Sequence, residues 1–134
     1  MKQEHIEDKQ RLLSLAMTDP FLGPESLKLG IEGMELITLP TGEAVGFVMP
    51  MKGNGQYQRL GSIFIEPKWR GKGIAQKFTI EYFKDKPGQA WIRPTNRPSQ
   101  QTFKAAGFYK TGRTTTANDK LYEEWVNKPM TLRW

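Results

Sequence analysis

The spacing of hydrophobic and polar positions changes from helical to strand-like over the first fifty residues. Apolar residues recur at three- and four-residue steps over residues 3–17, which predicts an amphipathic helix. Its expected apolar side consists of Ile6, Leu12, Leu13, Leu15, Ala16 and Met17. Two later apolar runs, 34–39 and 44–49, flank a polar turn at 40–43 that contains a glycine. This arrangement predicts an antiparallel hairpin.

The centre of the chain joins a short strand to a helix through a glycine-rich turn. The β-branched and aromatic run Ile63-Phe64-Ile65 predicts a buried strand, which Pro67 stops. The turn reads Arg70-Gly71-Lys72-Gly73, and apolar residues return to helical spacing over 74–83. A helix start presents free N–H groups and positive potential, and glycine lets a ligand approach the backbone. The pattern therefore predicts a phosphate-binding turn.

The last third of the chain predicts a strand, a helix and a second hairpin. A short apolar strand is expected at 90–93. Asn96 can cap the following helix, and Gly107 is the favoured residue for its end. Residues 108–115 and 120–126 are then expected to pair around a short polar turn. This order of elements predicts an α/β chain.

Composition narrows the class of protein. A length of 134 residues favours one domain spanning residues 1–134. Because the sequence has no cysteine and only one histidine, His5, we expect no disulfide, no Cys/His catalysis and no metal site. The first thirty residues are charged and contain no long apolar run. We therefore expect a cytoplasmic protein without a membrane segment.

Charge is distributed unevenly along the sequence. Residues 1–57 carry 5 basic and 8 acidic side chains, a net charge of −3, whereas residues 58–134 carry 15 and 6, a net charge of +9. The positive part contains the phosphate turn, so a ligand with several phosphates explains some of the excess. A nucleic-acid-binding face and an ordinary solvated surface are the alternatives.

Two stretches of the sequence resemble motifs of one enzyme superfamily. The segment from Arg70 to Ala75 resembles the R/Q-x-x-G-x-G/A acyl-coenzyme A signature of the GCN5-related N-acetyltransferase (GNAT) superfamily. The segment from Asn96 to Phe108 resembles the family's N-x-x-A/S-x-x-x-Y/F-x-x-x-G-F helix and turn. The resemblance covers about residues 58–113. It implies the GNAT acyl-CoA N-acyltransferase fold, a central mixed and mostly antiparallel sheet flanked by helices on both faces.

The resemblance also implies acetyl-CoA as the cosubstrate and assigns residues to it. The pantetheine arm would pair along the strand at Ile63, Phe64 and Ile65, and a main-chain N–H near Ile63 would face the thioester oxygen. Asn96 would contact the pantetheine arm, with a simple helix cap as the alternative. The remaining expected contacts are the amides of the phosphate turn and two residues of the later helix: Arg70, Gly71, Lys72, Gly73, Ile74, Ala75, Ser99 and Phe103.

The groups that would transfer protons depart from the family pattern. Many members have a tyrosine general acid where this chain has Phe103, and a glutamate where it has Gln58 and Arg59. Neither Gln nor Arg can act as a base at neutral pH. A proton relay through Ser62 and a base at Glu66 are the candidates, with solvent contact or hydrogen bonding as the alternative role of each. Glu35 and Glu43 are further options, and no protein base is needed if the acceptor amine has a lowered pKa. The tyrosines could replace the acid or serve in packing: Tyr57, Tyr109 and Tyr122.

These expectations describe an N-acetyltransferase that passes an acetyl group directly to an amine in a ternary complex, since no nucleophile for an acyl-enzyme is evident. The acceptor could be a protein lysine or N-terminus. A catalytically impaired acyl-CoA-binding or interaction module, and a nucleic-acid-directed acyltransferase or binder, are the alternatives. A homodimer is possible through the chain end at 130–134. Two groups of residues are candidates for the surroundings of the acceptor: Phe21, Leu22 and Leu27, and Trp91, Arg93 and Arg97. Core packing is the alternative role of the first group and of Trp91.

Overall fold

The computed structural model of the chain describes residues 3–19, 28 and 30–128. The predicted pocket residues Phe21, Leu22 and Leu27 lie outside the described residues, and so does the chain end at 130–134. Among the helices of the described part, none is long and apolar enough to cross a membrane.

The described residues form three α-helices and a six-stranded mixed sheet, which confirms the predicted α/β class. The elements are α1 (Gln3–Ala16), β1 (Glu35–Thr38), β2 (Ala44–Lys52), β3 (Gln58–Ile65), α2 (Ile74–Tyr82), β4 (Gly88–Ile92), α3 (Arg97–Ala105), β5 (Tyr109–Ala117) and β6 (Lys120–Val126). The strand order is β1-β2-β3-β4-β6-β5. Strands β3 and β4 run parallel, whereas β1 with β2, β4 with β6, and β5 with β6 run antiparallel.

The chain divides into two compact units, and the expectation of one domain over residues 1–134 stays a prediction. The first unit comprises residues 1–51 and 60–75. In its core, Leu12 and Ala16 of α1 pack against the hairpin and β3, and the rings of Phe47 and Phe64 lie 5.5 Å apart. The other buried members of this core are Met34, Ala44 and Met49.

The predicted apolar side of α1 is wrong at two positions. Leu15 is 39% exposed and Met17 is 71% exposed, although both were expected on the buried side with Leu12 and Ala16. Leu12 and Ala16 lie four residues apart and so share one face of the helix, whereas Leu15 lies to the side of that face. The helix itself ends at Ala16, one residue before the predicted end.

The second unit comprises residues 52–59 and 76–134, of which the part up to residue 128 is described. Its core contains three phenylalanine rings: Phe108 lies 5.1 Å from Phe83 and 4.9 Å edge-on from Phe103. Gly88 lets β4 approach these rings, because a Cβ there would lie 2.6 Å from Phe83 and 2.7 Å from Phe108. The β5–β6 hairpin turns through Asn118 and Asp119, whose φ angles of +52° and +62° suit a tight hairpin turn.

Candidate functional site

The turn between β3 and α2 contains two glycines with left-handed backbone. The φ angles are +78° at Gly71 and +77° at Gly73, whereas Arg70 before them is extended, with a φ of −74°. Positive φ favours glycine, and turns of this kind can present N–H groups to an anion. A Cβ added to Gly71 or Gly73 would meet no atom of the described residues within 4 Å. The space beside these two glycines is therefore open.

Arg70 fastens this turn to the end of β3. Its Nε donates a hydrogen bond of 2.7 Å to the carbonyl of Ile65, and its guanidinium lies 5.3 Å from the ring centroid of Phe64. The guanidinium also lies 3.6 Å from Asp19, although the Arg70 side chain is 48% exposed, so this pair contributes at most about 1 kcal/mol. Arg70 thus shapes the turn, which leaves exposed Lys72 as its more available cation.

The start of α2 adds donors to the same place. The N–H groups of Gly71, Lys72 and Gly73 have no backbone partner among the described residues. The helix begins at Ile74, and its dipole places partial positive charge at this end. Ile74 and Ala75 are half-buried, so they anchor the helix start while the glycines stay at the surface. The binding of a diphosphate by these groups stays a prediction.

Strand β3, on which the resemblance places the acyl arm, is hydrogen-bonded to its neighbours at both ends. Near its start, the N–H of Gln58 donates to the carbonyl of Pro87, beside β4, over 2.8 Å. Just past its end, the N–H of Glu66 donates to the carbonyl of Val45 in β2, also over 2.8 Å. Half-buried and buried residues alternate from Arg59 to Phe64, as in a regular strand, and Ile65 is buried as well. The place of an acyl arm along this strand stays a prediction.

The two predicted proton-transfer residues lie at β3 and just beyond it. Ser62 is buried within the strand, with 3% of its surface exposed. Glu66 forms an ion pair with Arg11, whose guanidinium lies 2.9 Å from the Glu66 carboxylate. The hydrogen bond and charge of Glu66 raise the pKa of Arg11 above its ordinary value, although partial burial opposes this. Glu66 therefore has a structural partner, and its role as a base stays a prediction.

The later predicted contacts lie together on α3 in the second unit. Asn96 caps the helix, because its side-chain oxygen accepts a 3.3 Å hydrogen bond from the N–H of Ser99. Phe103 is only 3% exposed and packs edge-on against Phe108, so the side chain that replaces the family's tyrosine belongs to the core. Both residues thus have a structural role, and their contacts with a cosubstrate stay predictions.

A buried polar network in the second unit was not predicted. Gln89 is fully buried; its side-chain oxygen accepts from the N–H of Asn54 over 3.0 Å, and its side-chain nitrogen donates to Glu124. Glu124, 3% exposed, also accepts a 2.6 Å hydrogen bond from the hydroxyl of Thr111. Its carboxylate lies 3.5 Å from the guanidinium of Arg113. The one sequence signal was a glutamine within an apolar run, between Gly88 and Ala90.

The three tyrosines that could replace a general acid lie near this network. The Tyr57 hydroxyl donates a 2.6 Å hydrogen bond to the carbonyl of Lys128. Burial raises the pKa of Tyr57, and the negative charge of Glu124 adds to this effect. Tyr109 is 45% exposed and Tyr122 is half-buried. Tyr57 therefore stays protonated at neutral pH, as a general acid must, but its hydroxyl proton already takes part in the hydrogen bond to Lys128.

Solved structures with the same arrangement of elements are acetyltransferases. A GNAT-family acetyltransferase from Bacillus anthracis superposes with a TM-score of 0.64 over 94% of this chain and 89% of its own, at 16% identity. An acetyltransferase from Bacillus subtilis in complex with CoA gives a TM-score of 0.67 over 92% of this chain and 93% of its own, at 11% identity. The chain has the GNAT fold.

The resemblance read from the two motifs is thus confirmed at the level of the fold. The aminoglycoside acetyltransferase AAC(6')-Ib, in complex with coenzyme A, also shares the GNAT fold, with a TM-score of 0.54 at 20% identity. That match covers 66% of this chain and 61% of the length of AAC(6')-Ib. No protein-family model matches the sequence. No curated protein matches it either.

Proposed function

We propose that the protein is an acetyl-CoA-dependent N-acetyltransferase that transfers an acetyl group directly to an amine. The observation that carries this proposal is the turn from Arg70 to Gly73, with its two positive-φ glycines, the open space beside them and the helix start that follows. Neighbours that share the fold have been solved with coenzyme A, which supports the same ligand here. The turn would hold the diphosphate, and Lys72 would add charge.

Strand β3 would supply the second part of the site. Ile63 is a half-buried residue of this strand, between buried Ser62 and buried Phe64. A main-chain N–H exposed there would face the thioester oxygen and stabilise the oxyanion that forms during transfer. Fixed backbone dipoles suit this task, because they need no reorganisation as charge develops. The extended arm of the cosubstrate would lie along Ile63, Phe64 and Ile65.

The transfer itself needs few protein groups. The amine nitrogen attacks the thioester carbonyl carbon, the carbon–sulfur bond breaks, and the sulfur leaves as a thiolate. One proton must leave the nitrogen, and one can reach the sulfur. Glu66 or a water beside Ser62 would take the first proton. Because a thiolate is a good leaving group, a fixed acid at the position of Phe103 is dispensable.

The acceptor class that we propose is a protein lysine, a protein N-terminus or a small amine. AAC(6')-Ib has been solved with coenzyme A and kanamycin, so at least one protein with this fold is known with an amine-rich molecule bound. Among the described residues, Trp91 and Arg93 are half-buried and Arg97 is exposed. We propose that they lie near the acceptor, as the sequence predicted.

A catalytically impaired acyl-CoA-binding module is the second candidate. Two observations favour it: Phe103 has no hydroxyl and is buried, and Glu66 is already paired with Arg11. Such a protein would bind acetyl-CoA and would release no thiol when amines are added. Turnover, and not binding, separates it from the enzyme.

Calorimetric titration with acetyl-CoA tests the site on which both candidates depend. Gly71→Glu and Gly73→Glu add a bulky negative charge to the turn and should abolish micromolar binding. Gly42→Glu is the matched control, because Gly42 also has positive φ (+92°) and no described atom within 4 Å of an added Cβ, but lies in the β1–β2 turn. Equal loss in all three variants would show a general effect of positive-φ substitution and would contradict the proposed site.

A further inference from the structure

One face of the β4–β6–β5 half of the sheet presents aromatic side chains around a buried carboxylate. Trp91 of β4 pairs directly with Glu124 of β6, so the two side chains share a face. Tyr122 precedes Glu124 by two residues and lies on the same face. Tyr109 of β5 pairs with Val126, which follows Glu124 by two residues in β6, so Tyr109 lies on this face as well. All of these residues belong to the second unit.

The carboxylate on this face has two neutral donors and one cation. Thr111 donates to one oxygen of Glu124, and Gln89 donates to the other. Among the described residues, the cation within 4 Å is Arg113, at 3.5 Å. A buried carboxylate is costly unless a positive charge accompanies it, and neutral hydrogen bonds recover only part of that cost. Glu124 is therefore a strong attractor for a cation.

Arg113 shows that a cation can reach this carboxylate from solvent. Its side chain is 61% exposed, whereas that of Glu124 is 3% exposed. It follows Gly112, whose φ of +92° accompanies the register shift between Lys110 and Thr114 in β5. A long exposed side chain gains little from a single ion pair, since holding it costs conformational entropy. Another cation could displace Arg113 at small cost.

The opposite face of the same strands shows that this kind of site accepts a primary ammonium. There, the Lys110 ammonium lies 3.7 Å from the carboxylate of Glu123 and 5.8 Å from the ring centroid of Trp125. An ammonium in such a place is stabilised by the negative charge of the carboxylate and by the quadrupole of the aromatic ring. Glu124 and Trp91 repeat this pair of groups, with Arg113 in place of the lysine.

We propose that Glu124 and Trp91 bind an alkylammonium group of the acceptor, and that Arg113 occupies this position until the acceptor displaces it. A carboxylate keeps an ammonium protonated, and a protonated nitrogen cannot attack a thioester. The group held here is therefore a recognition group and not the nitrogen that is acetylated. The acceptor class is a molecule with a second positive charge besides its reacting amine. This identification of the ligand as the acceptor rests on the proposed N-acetyltransferase function.

The test is a calorimetric titration with two matched probes, Nα-acetyl-lysine amide and its uncharged counterpart Nα-acetyl-norleucine amide. The wild type should bind the lysine probe and not the norleucine probe. Glu124→Gln, which keeps an oxygen to accept from Thr111, should weaken the lysine probe by about tenfold or more. Arg113→Gln should raise the affinity for the lysine probe several-fold, because this change removes the competing cation. Trp91→Leu should lower that affinity and leave the hydrogen bonds of the carboxylate unchanged.

The opposite signs expected for Glu124→Gln and Arg113→Gln separate ligand binding from a structural role, in which both variants would act in the same direction. The proposal is overturned if neither the wild type nor Arg113→Gln binds the lysine probe, if both probes bind equally, or if Glu124→Gln changes nothing. Thermal melting of each variant identifies loss of folding. Titration of the same samples with acetyl-CoA tests the proposed function separately. If acetyl-CoA does not bind but the lysine probe does, the ammonium site is supported and the proposed function is not. If only acetyl-CoA binds, the acyl-CoA site is supported and the ammonium site is not.

Discussion

Gly46 of β2 is the position where a single added methyl group should have the largest effect on the first unit. A Cβ at Gly46 would lie 2.1 Å from the carbonyl oxygen of Phe64, about 0.9 Å inside the 3.0 Å that real Cβ atoms keep. It would also lie 3.1 Å from the Cα of Ile65. Both contacts are to the backbone of β3, which cannot rotate away as a side chain does. Gly46→Ala must therefore push two strands apart.

The expected cost follows from overpacking a close-packed interior. Forcing extra volume into such a core costs about 1–3 kcal/mol, and we expect the upper part of this range because backbone must move. For a chain of this size, each kcal/mol lowers Tm by roughly 3–5 °C. Gly46→Ala should therefore lower Tm by about 6–15 °C, measured by circular dichroism. The midpoint of urea unfolding should fall in the same proportion.

Gly42→Ala is the control, because it adds the same methyl group at φ +92° with no described atom within 4 Å. Only backbone strain is expected there, about 1–2 kcal/mol. A Tm for Gly46→Ala that matches the wild type, or a smaller loss than for Gly42→Ala, would refute the close approach of β2 and β3 at this point.

Three further changes test other parts of the structure. Asn96→Ala should lower the free energy of unfolding by about 1 kcal/mol, and Asn96→Asp should not, because aspartate also caps helices; denaturant titration measures both. Phe103→Tyr should cost about 1–3 kcal/mol without raising turnover, since its hydroxyl enters a core of Phe83 and Phe108. Because the pKa of Tyr57 is raised above 10.0, its contribution to stability is fully present below pH 10 and is lost as pH rises further. Tyr57→Phe should flatten that alkaline part of the profile of Tm against pH.

Elements bounded by local signals were predictable from the sequence. The φ angles at Gly71, Gly73 and Gly107 are +78°, +77° and +88°, and these glycines end or begin elements where they were expected to do so. The Asn96 cap and the turn at Asn118 and Asp119 are equally local. Such positions follow from the backbone preferences of one or two residues, so no knowledge of distant contacts is needed.

Features set by distant contacts were not predictable. Strand β3 begins at Gln58, five residues before the apolar run, because pairing with Gly88 and not side-chain pattern extends it. Glu124 looks like a surface residue beside Glu123, yet Gln89 and Thr111, 35 and 13 residues away, bury it. The candidate site divides in the same way: the phosphate turn is local, whereas the network around Glu124 is assembled from separate strands.

The measurement that tests the central claim most directly is amine-dependent release of coenzyme A thiol from acetyl-CoA, with mass spectrometry of the amine. We expect thiol release that rises with the concentration of a diamine, an acetylated product of equal amount, and loss of both in Gly73→Glu but not in Gly42→Glu. Binding of acetyl-CoA with no thiol release above the amine-free background, for any amine tried, would contradict the enzyme and leave a protein that only binds acyl-CoA.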